Sequence, residues 1–208
     1  MQVKQLKLGP MDNFSYVLWD ESSAEAAVID PAWQPGAIEE FLKREELALK
    51  MLLLTNANPD HMNAARYFLE RHKDLLLRMH KEDVFLLEDP GEAAFLADGD
   101  ELILGKIRIR VIHTPGHTPG SVAYLAGSAV FTGDTLFIGE CGRADLPGSD
   151  PKALRKSLIK LAALPADTIL YPGHAYNGNT STIGVQKEYN LYMKLAAKNE
   201  AEFLKAAL

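Results

Sequence analysis

Thr55-Asn56-Ala57-Asn58-Pro59-Asp60-His61 follows the apolar run Met51-Leu52-Leu53-Leu54 and precedes a helical pattern that starts near Asp60. The stretch reads as a strand-to-helix turn that gathers polar groups. With His at positions 56 and 58 it would read His-x-His-x-Asp-His, which together with later His and Asp residues can hold two metal ions and activate water. Both positions carry Asn. The turn thus looks like a metal-binding loop with two of its four ligands exchanged.

Working outward, Val3 to Leu8, Ser15 to Trp19 and Ala26 to Ile29 read as strands of an antiparallel meander, with Asp12-Asn13 and Asp20-Glu21-Ser22 as turns. Pro35 opens a helix in which Ile38, Phe41 and Leu42 recur at helical spacing, before a strand at Leu49 to Leu54. Beyond the turn come a helix through Met62, Ala65, Phe68 and Leu69, a short strand at Leu75 to Met79, a short helix or turn at Val84 to Leu87, and a break at Asp98-Gly99-Asp100. The remainder largely repeats this plan. Strands are expected at Ile107 to Ile112, Ser121 to Leu125, Ala129 to Phe131 and Thr168 to Tyr171, with a helix from about Pro151 to Ala163 and a long amphipathic helix from about Thr182. Strand blocks followed by helices, twice over, imply an α/β four-layer αββα sandwich of two packed sheets. Its polar motifs fall at strand ends.

Composition narrows the possibilities. A chain of 208 residues that is 47% hydrophobic and 24% charged suits one domain, residues 1–208, with a substantial core. The net charge of −6 and the lack of any Lys/Arg run argue against nucleic acid and anionic membranes as partners. Cys141 is the single cysteine, which excludes an internal disulfide and multi-Cys zinc frameworks. Met1 to Gln5 form no apolar signal core, and no stretch approaches the roughly 18 apolar residues of a membrane span, so a cytoplasmic location is expected.

Three further motifs carry chemistry. In His113-Thr114-Pro115-Gly116-His117-Thr118-Pro119-Gly120 two Pro-Gly turns present His117 on rigid, non-helical backbone. Phe131-Thr132-Gly133-Asp134 puts a carboxylate, able to bridge two cations, at a glycine turn after a strand. Tyr171-Pro172-Gly173-His174 repeats the device of strand, Pro-Gly turn and imidazole. With these four motifs in order, the chain resembles metallo-β-lactamase-fold hydrolases of the glyoxalase II (hydroxyacylglutathione hydrolase) type. The segments Cys141 to Asp150 and Gly178 to Gly184 look closest to the short, single-domain members and to persulfide dioxygenases. The helical domain with which typical glyoxalase II enzymes hold glutathione is accordingly not expected within these 208 residues.

The resemblance implies two metal sites sharing Asp134. Site one would use positions 56 and 58 with His117 and Asp134; site two would use Asp60, His61, His174 and Asp134. Both departures, Asn56 and Asn58, strike site one. An amide oxygen is a weaker donor than imidazole toward Zn, Fe or Ni and reaches less far, so one divalent ion is expected, Zn first and Fe or Mn as alternatives, against two if both positions were His. A natural rearrangement and a deliberate inactivation of a Thr-His-Ala-His-Pro-Asp-His parent fit equally. The expected function is hydrolysis of a thioester or similar small acyl substrate, glutathione- or thiol-linked, with Asp60 and Asp134 supplying charge and orientation. Two alternatives are a non-catalytic binding or regulatory protein and, more weakly, a persulfide dioxygenase, whose iron face would need an imidazole where Asn56 stands.

Blander roles remain open for several residues. Asn56 and Asn58 also suit a helix start. The resemblance places Arg143 at the substrate mouth, but an ion pair with Asp145 or Asp150 would serve to fix its loop. Tyr176 is a candidate for the same mouth. His72 and His80 lie in no motif, His113 is expected to pack locally, and Ile183, Tyr189, Tyr192 and Leu195 form a stripe read as core.

Overall fold

The computed structural model describes residues 1–87 and 93–207. Side-chain alternation along the early strands sets the layers. In β2 (Asn13–Trp19), Phe14, Tyr16 and Leu18 point one way and Val17 the other; in β3 (Glu25–Ile29), Ala27 and Ile29 oppose Ala26 and Val28; in β4 (Ala48–Leu53), Met51 and Leu53 oppose Leu52. Both faces are apolar because both are covered. With β1 (Gln2–Leu8), β5 (Leu77–His80) and β6 (Ala93–Leu96) these strands form a sheet ordered β1-β2-β3-β4-β5-β6. It is antiparallel through β3 and parallel beyond.

A second six-stranded sheet runs β12-β11-β10-β9-β8-β7. It comprises β7 (Glu101–Leu104), β8 (Ile107–His113), β9 (Val122–Ala126), β10 (Ala129–Gly133), β11 (Ile169–Pro172) and β12 (Ser181–Thr182). Phe14, Tyr16, Ile29 and Leu53 of the first sheet meet Ile109, Val111, Tyr124 and Phe131 of the second in the central core. The outer face of the first sheet packs on α1 (Pro35–Arg44) and α3 (Ala65–Arg71). The outer face of the second packs on α4 (Pro151–Ala162) and the C-terminal helices. This is the four-layer αββα sandwich expected from the chain. No helix among the described residues is long and apolar enough to cross a membrane.

Three local readings need correction. The helix after the Asn/Asp/His turn is broken into α2 (Pro59–Met62) and α3. The long C-terminal helix is three, α5 (Ile183–Tyr189), α6 (Leu191–Lys198) and α7 (Glu200–Ala206). Asn190 and Asn199 interrupt it because each turns its side-chain oxygen onto a following backbone N–H and restarts the helix as an N-cap. The presumed core stripe accordingly splits: Ile183 is buried, whereas Tyr189 is 69% exposed. The edge strands β6 and β7, on either side of the Asp98-Gly99-Asp100 turn, were not expected.

Candidate metal centre

The four motifs converge at one edge of the sandwich, where the sheets are stitched together. Val122 N–H donates to Thr55 O at 2.7 Å and Phe14 N–H to Gly173 O at 2.8 Å between the sheets, and Gly173 N–H extends the β10–β11 pairing by donating to Gly133 O at 2.9 Å. The buried Tyr124 hydroxyl donates to Leu54 O at 2.7 Å and the Tyr16 hydroxyl to Pro172 O at 2.5 Å. Glycines permit the approach. A side chain at Gly173 would collide with Asp134 Oδ1 and come within 3.0 Å of the His61 ring, and one at Gly116 (φ 141°) would strike the backbone of α4.

Three imidazoles are fixed through Nδ1 and turn Nε2 inward. His61 Nδ1 donates to Asp30 Oδ2 at 3.0 Å, His117 Nδ1 to Arg143 O at 3.0 Å, and His174 Nδ1 to Met11 O at 2.8 Å. This is how ligating histidines are held in one tautomer and orientation. Asp134 sits among the three: its Oδ1 is 3.1 Å from His61 Nε2 and 3.4 Å from His174 Nε2, and its Oδ2 is 3.4 Å from His117 Nε2. Asp60 Oδ2 lies 3.4 Å from His174 Nε2 and 3.8 Å from His61 Nε2, and accepts from Asn13 Nδ2 at 2.9 Å. Asp60, His61 and His174 thus offer ligand atoms within 4.8 Å of one another.

The donor set fits a divalent cation. His61 Nε2 and Asp134 Oδ1 are buried 3.1 Å apart, facing one another, and neither has any other hydrogen-bond partner. Two facing orphan atoms of this kind are costly unless something between them is bound. Two nitrogens and two carboxylates suit Zn, Mn or Fe. Without a cation the groups balance one another. Burial opposes charge on Asp60, but His174, His61 and the Asn13 amide outweigh it and hold its pKa at about 2. Burial likewise disfavours a charged His174, yet Asp134 and Asp60 raise it to about 9. His61 is raised and Asp134 lowered in the same way, against their burial. A cation taken up by these groups would displace protons from the imidazoles.

The half of the cluster around Asn56 and Asn58 is built differently. Asn56 Oδ1 accepts from Asn58 N–H at 3.0 Å, closing a local turn. Asn58 stands at the N-cap of α2 but makes no side-chain cap bond; its Nδ2 instead donates to His117 Nε2 at 2.8 Å. The capping role is therefore absent for Asn58. His117 Nε2, the atom that would face a cation there, is engaged by an amide.

Around this edge the other candidates take their places. Arg143 pairs through Nε and a terminal nitrogen with both oxygens of Asp145, each at 2.9 Å on the surface, while Asp150 caps α4. Tyr176, 52% exposed, stacks on His174 with ring centroids 4.8 Å apart and 13° between planes, edge-on to Phe137. Burial pushes the Cys141 thiol up to about 12, which keeps it unreactive. His80, Glu82 and His113 also cluster. There the imidazoles stack face to face at 4.0 Å and 12°, and each has a protein partner, Glu82 N–H for His80 Nδ1 and Pro119 O for His113 Nε2.

Two carboxylates have roles that no motif announced. Asp30 adopts φ 51°, and its carboxylate accepts from Thr55 N–H and Thr55 Oγ1, both at 2.7 Å, as well as from His61. A non-glycine residue in the left-handed region is retained where the surroundings require it. Asp83 is the second.

Comparison with known proteins agrees with this geometry. Residues 8–174 match the Metallo-beta-lactamase superfamily. The chain is 39% identical over 167 residues to a hydroxyacylglutathione hydrolase of Brucella anthropi, covering 79% of this chain and 62% of the enzyme's length. The crystal structure of ETHE1 from Myxococcus xanthus superposes with a TM-score of 0.90 at 30% identity, over 100% of this chain and 90% of that one. TTHA1623, in a di-iron-bound form, superposes with a TM-score of 0.81 at 32% identity, over 91% of this chain and 99% of that one.

Proposed function

The chain belongs to the metallo-beta-lactamase superfamily, and from that premise we propose that it is a one-metal hydrolase of the glyoxalase II-like group, acting on a thioester or similar small acyl substrate. The reading rests on the facing orphan atoms, His61 Nε2 and Asp134 Oδ1, with His174 and Asp60 completing a four-ligand set around them. A divalent ion held there supplies Lewis acidity and lowers the pKa of water to about 7. The side chains do the rest. Asp60 and Asp134 carry the countercharge, Asp60 oriented by Asn13 and His61 by Asp30. Tyr176 offers an aromatic face at the mouth, and Arg143 would present positive charge to an anionic thiol-linked substrate only by sharing Asp145. Asn58, by occupying His117 Nε2, closes the first metal position. Paired ions roughly 3.5–4 Å apart divide the tasks of activating water and polarising the scissile carbonyl, so turnover should be far below that of a two-metal relative.

The same Asn58 bond favours a second reading, a non-catalytic binding protein on this scaffold. Assaying hydrolysis of a glutathione thioester separates the two. Slow turnover that a chelator abolishes and added Zn, Mn or Fe restores is expected; a chain that binds an ion yet never turns over the thioester would favour the binding protein. Iron-dependent oxygen uptake with a persulfide would be required for the dioxygenase alternative.

A further inference from the structure

We propose that Asp83 is the positioning residue that sets the separation between the Asn56–Asn58 turn and the His117 turn. It lies outside the four motifs, in the short 3-10 helix Lys81–Leu86 that follows β5 and is N-capped by His80. Its carboxylate is buried and accepts three hydrogen bonds. Oδ2 takes Ala57 N–H at 3.0 Å and the Thr118 hydroxyl at 2.7 Å; Oδ1 takes Gly120 N–H at 2.6 Å.

These donors come from two different loops, each beside a partner of the Asn58 to His117 bond. Ala57 precedes Asn58, and Thr118 follows His117. One rigid planar group therefore holds both loops from behind. Gly120 is required for the approach, since a Cβ there would lie 2.6 Å from Asp83 Cγ. An ionised carboxylate alone presents acceptors on both oxygens; the amide of Asn offers one acceptor and turns N–H groups toward at least one of the donors. That would leave a buried backbone N–H of a ligand loop unsatisfied and push the loops apart. Asp30, by contrast, holds Thr55 and His61. The two carboxylates therefore act on different halves of the cluster. The proposal rests on reading this cluster as the functional site, but not on its being a hydrolase.

The test follows the imidazoles of the full chain by proton–nitrogen correlation spectra. In the unsubstituted chain His117 should be a single tautomer with its proton on Nδ1. Asp83→Asn should convert it to a mixture of tautomers while the signals of His61 and His174 keep their positions. Thr118→Val, which removes one donor and keeps the carboxylate, should shift His117 in the same direction and less. If Asp83→Asn does not fold, Thr118→Val decides alone. An unchanged His117 in the folded variants, or three imidazoles moving together as in a general loosening, would overturn the proposal, and neither outcome depends on any thioester being cleaved.

Discussion

Replacing Asn56 and Asn58 together by His should raise the metal content toward two ions per chain and speed thioester hydrolysis at least about a hundredfold, roughly 2.7 kcal/mol of barrier at 1.36 kcal/mol per decade. The expectation follows from what the two amides do. Asn58 Nδ2 donates to His117 Nε2 and Asn56 Oδ1 holds the Asn58 N–H, so the turn satisfies itself and the facing imidazole without a cation. Imidazoles at both positions would remove that satisfaction and return two nitrogen donors beside His117 and Asp134 Oδ2, which are already 3.4 Å apart. Asn58→His alone should release His117 but leave the position one donor short. Unchanged stoichiometry and rate in the double variant would mean that the surroundings no longer accommodate a second ion.

Asp134→Asn should have the opposite and larger effect. Asp134 lies within 3.4 Å of all three inward imidazole nitrogens. Losing an outer-shell partner typically costs 10–100-fold in metal affinity, so loss of this central ligand should exceed about a hundredfold and bring hydrolysis to background. The isosteric amide keeps the volume but not the charge that offsets His61 and His174. Isothermal titration with Zn reads the affinity directly. An Asp134→Asn chain that binds one ion as tightly as the parent would show that the ion sits elsewhere.

Much of this architecture is legible in the residues themselves. Alternation in β2 to β4 marks two covered faces, and each polar motif ends a strand, which is why the ligand candidates meet at one edge. Other features are silent. Strands β6 and β7 are four-residue edges whose partners lie in different sheets, so no local pattern pairs them. The C-terminal helix breaks at Asn190 and Asn199 because a side-chain bond to the next turn outcompetes continuation, and helical periodicity persists across such a restart. Asp30 and Asp83 lie outside the four motifs; their importance comes from partners 25 to 37 residues away. Asn58 suits a helix start by residue type, and only the position of His117 reveals that its amide is spent elsewhere.

In the proposed site, Asn58 closes one position of a two-metal cluster while the other keeps a complete ligand set. Elemental analysis of the unsubstituted chain, purified without added metal and then equilibrated with Zn, tests it most directly. Close to one ion per chain, retained until a chelator removes it, is expected. Less than a tenth of an ion, judged roughly against full occupancy of a four-ligand site, or a stable second ion beside Asn58, would contradict it.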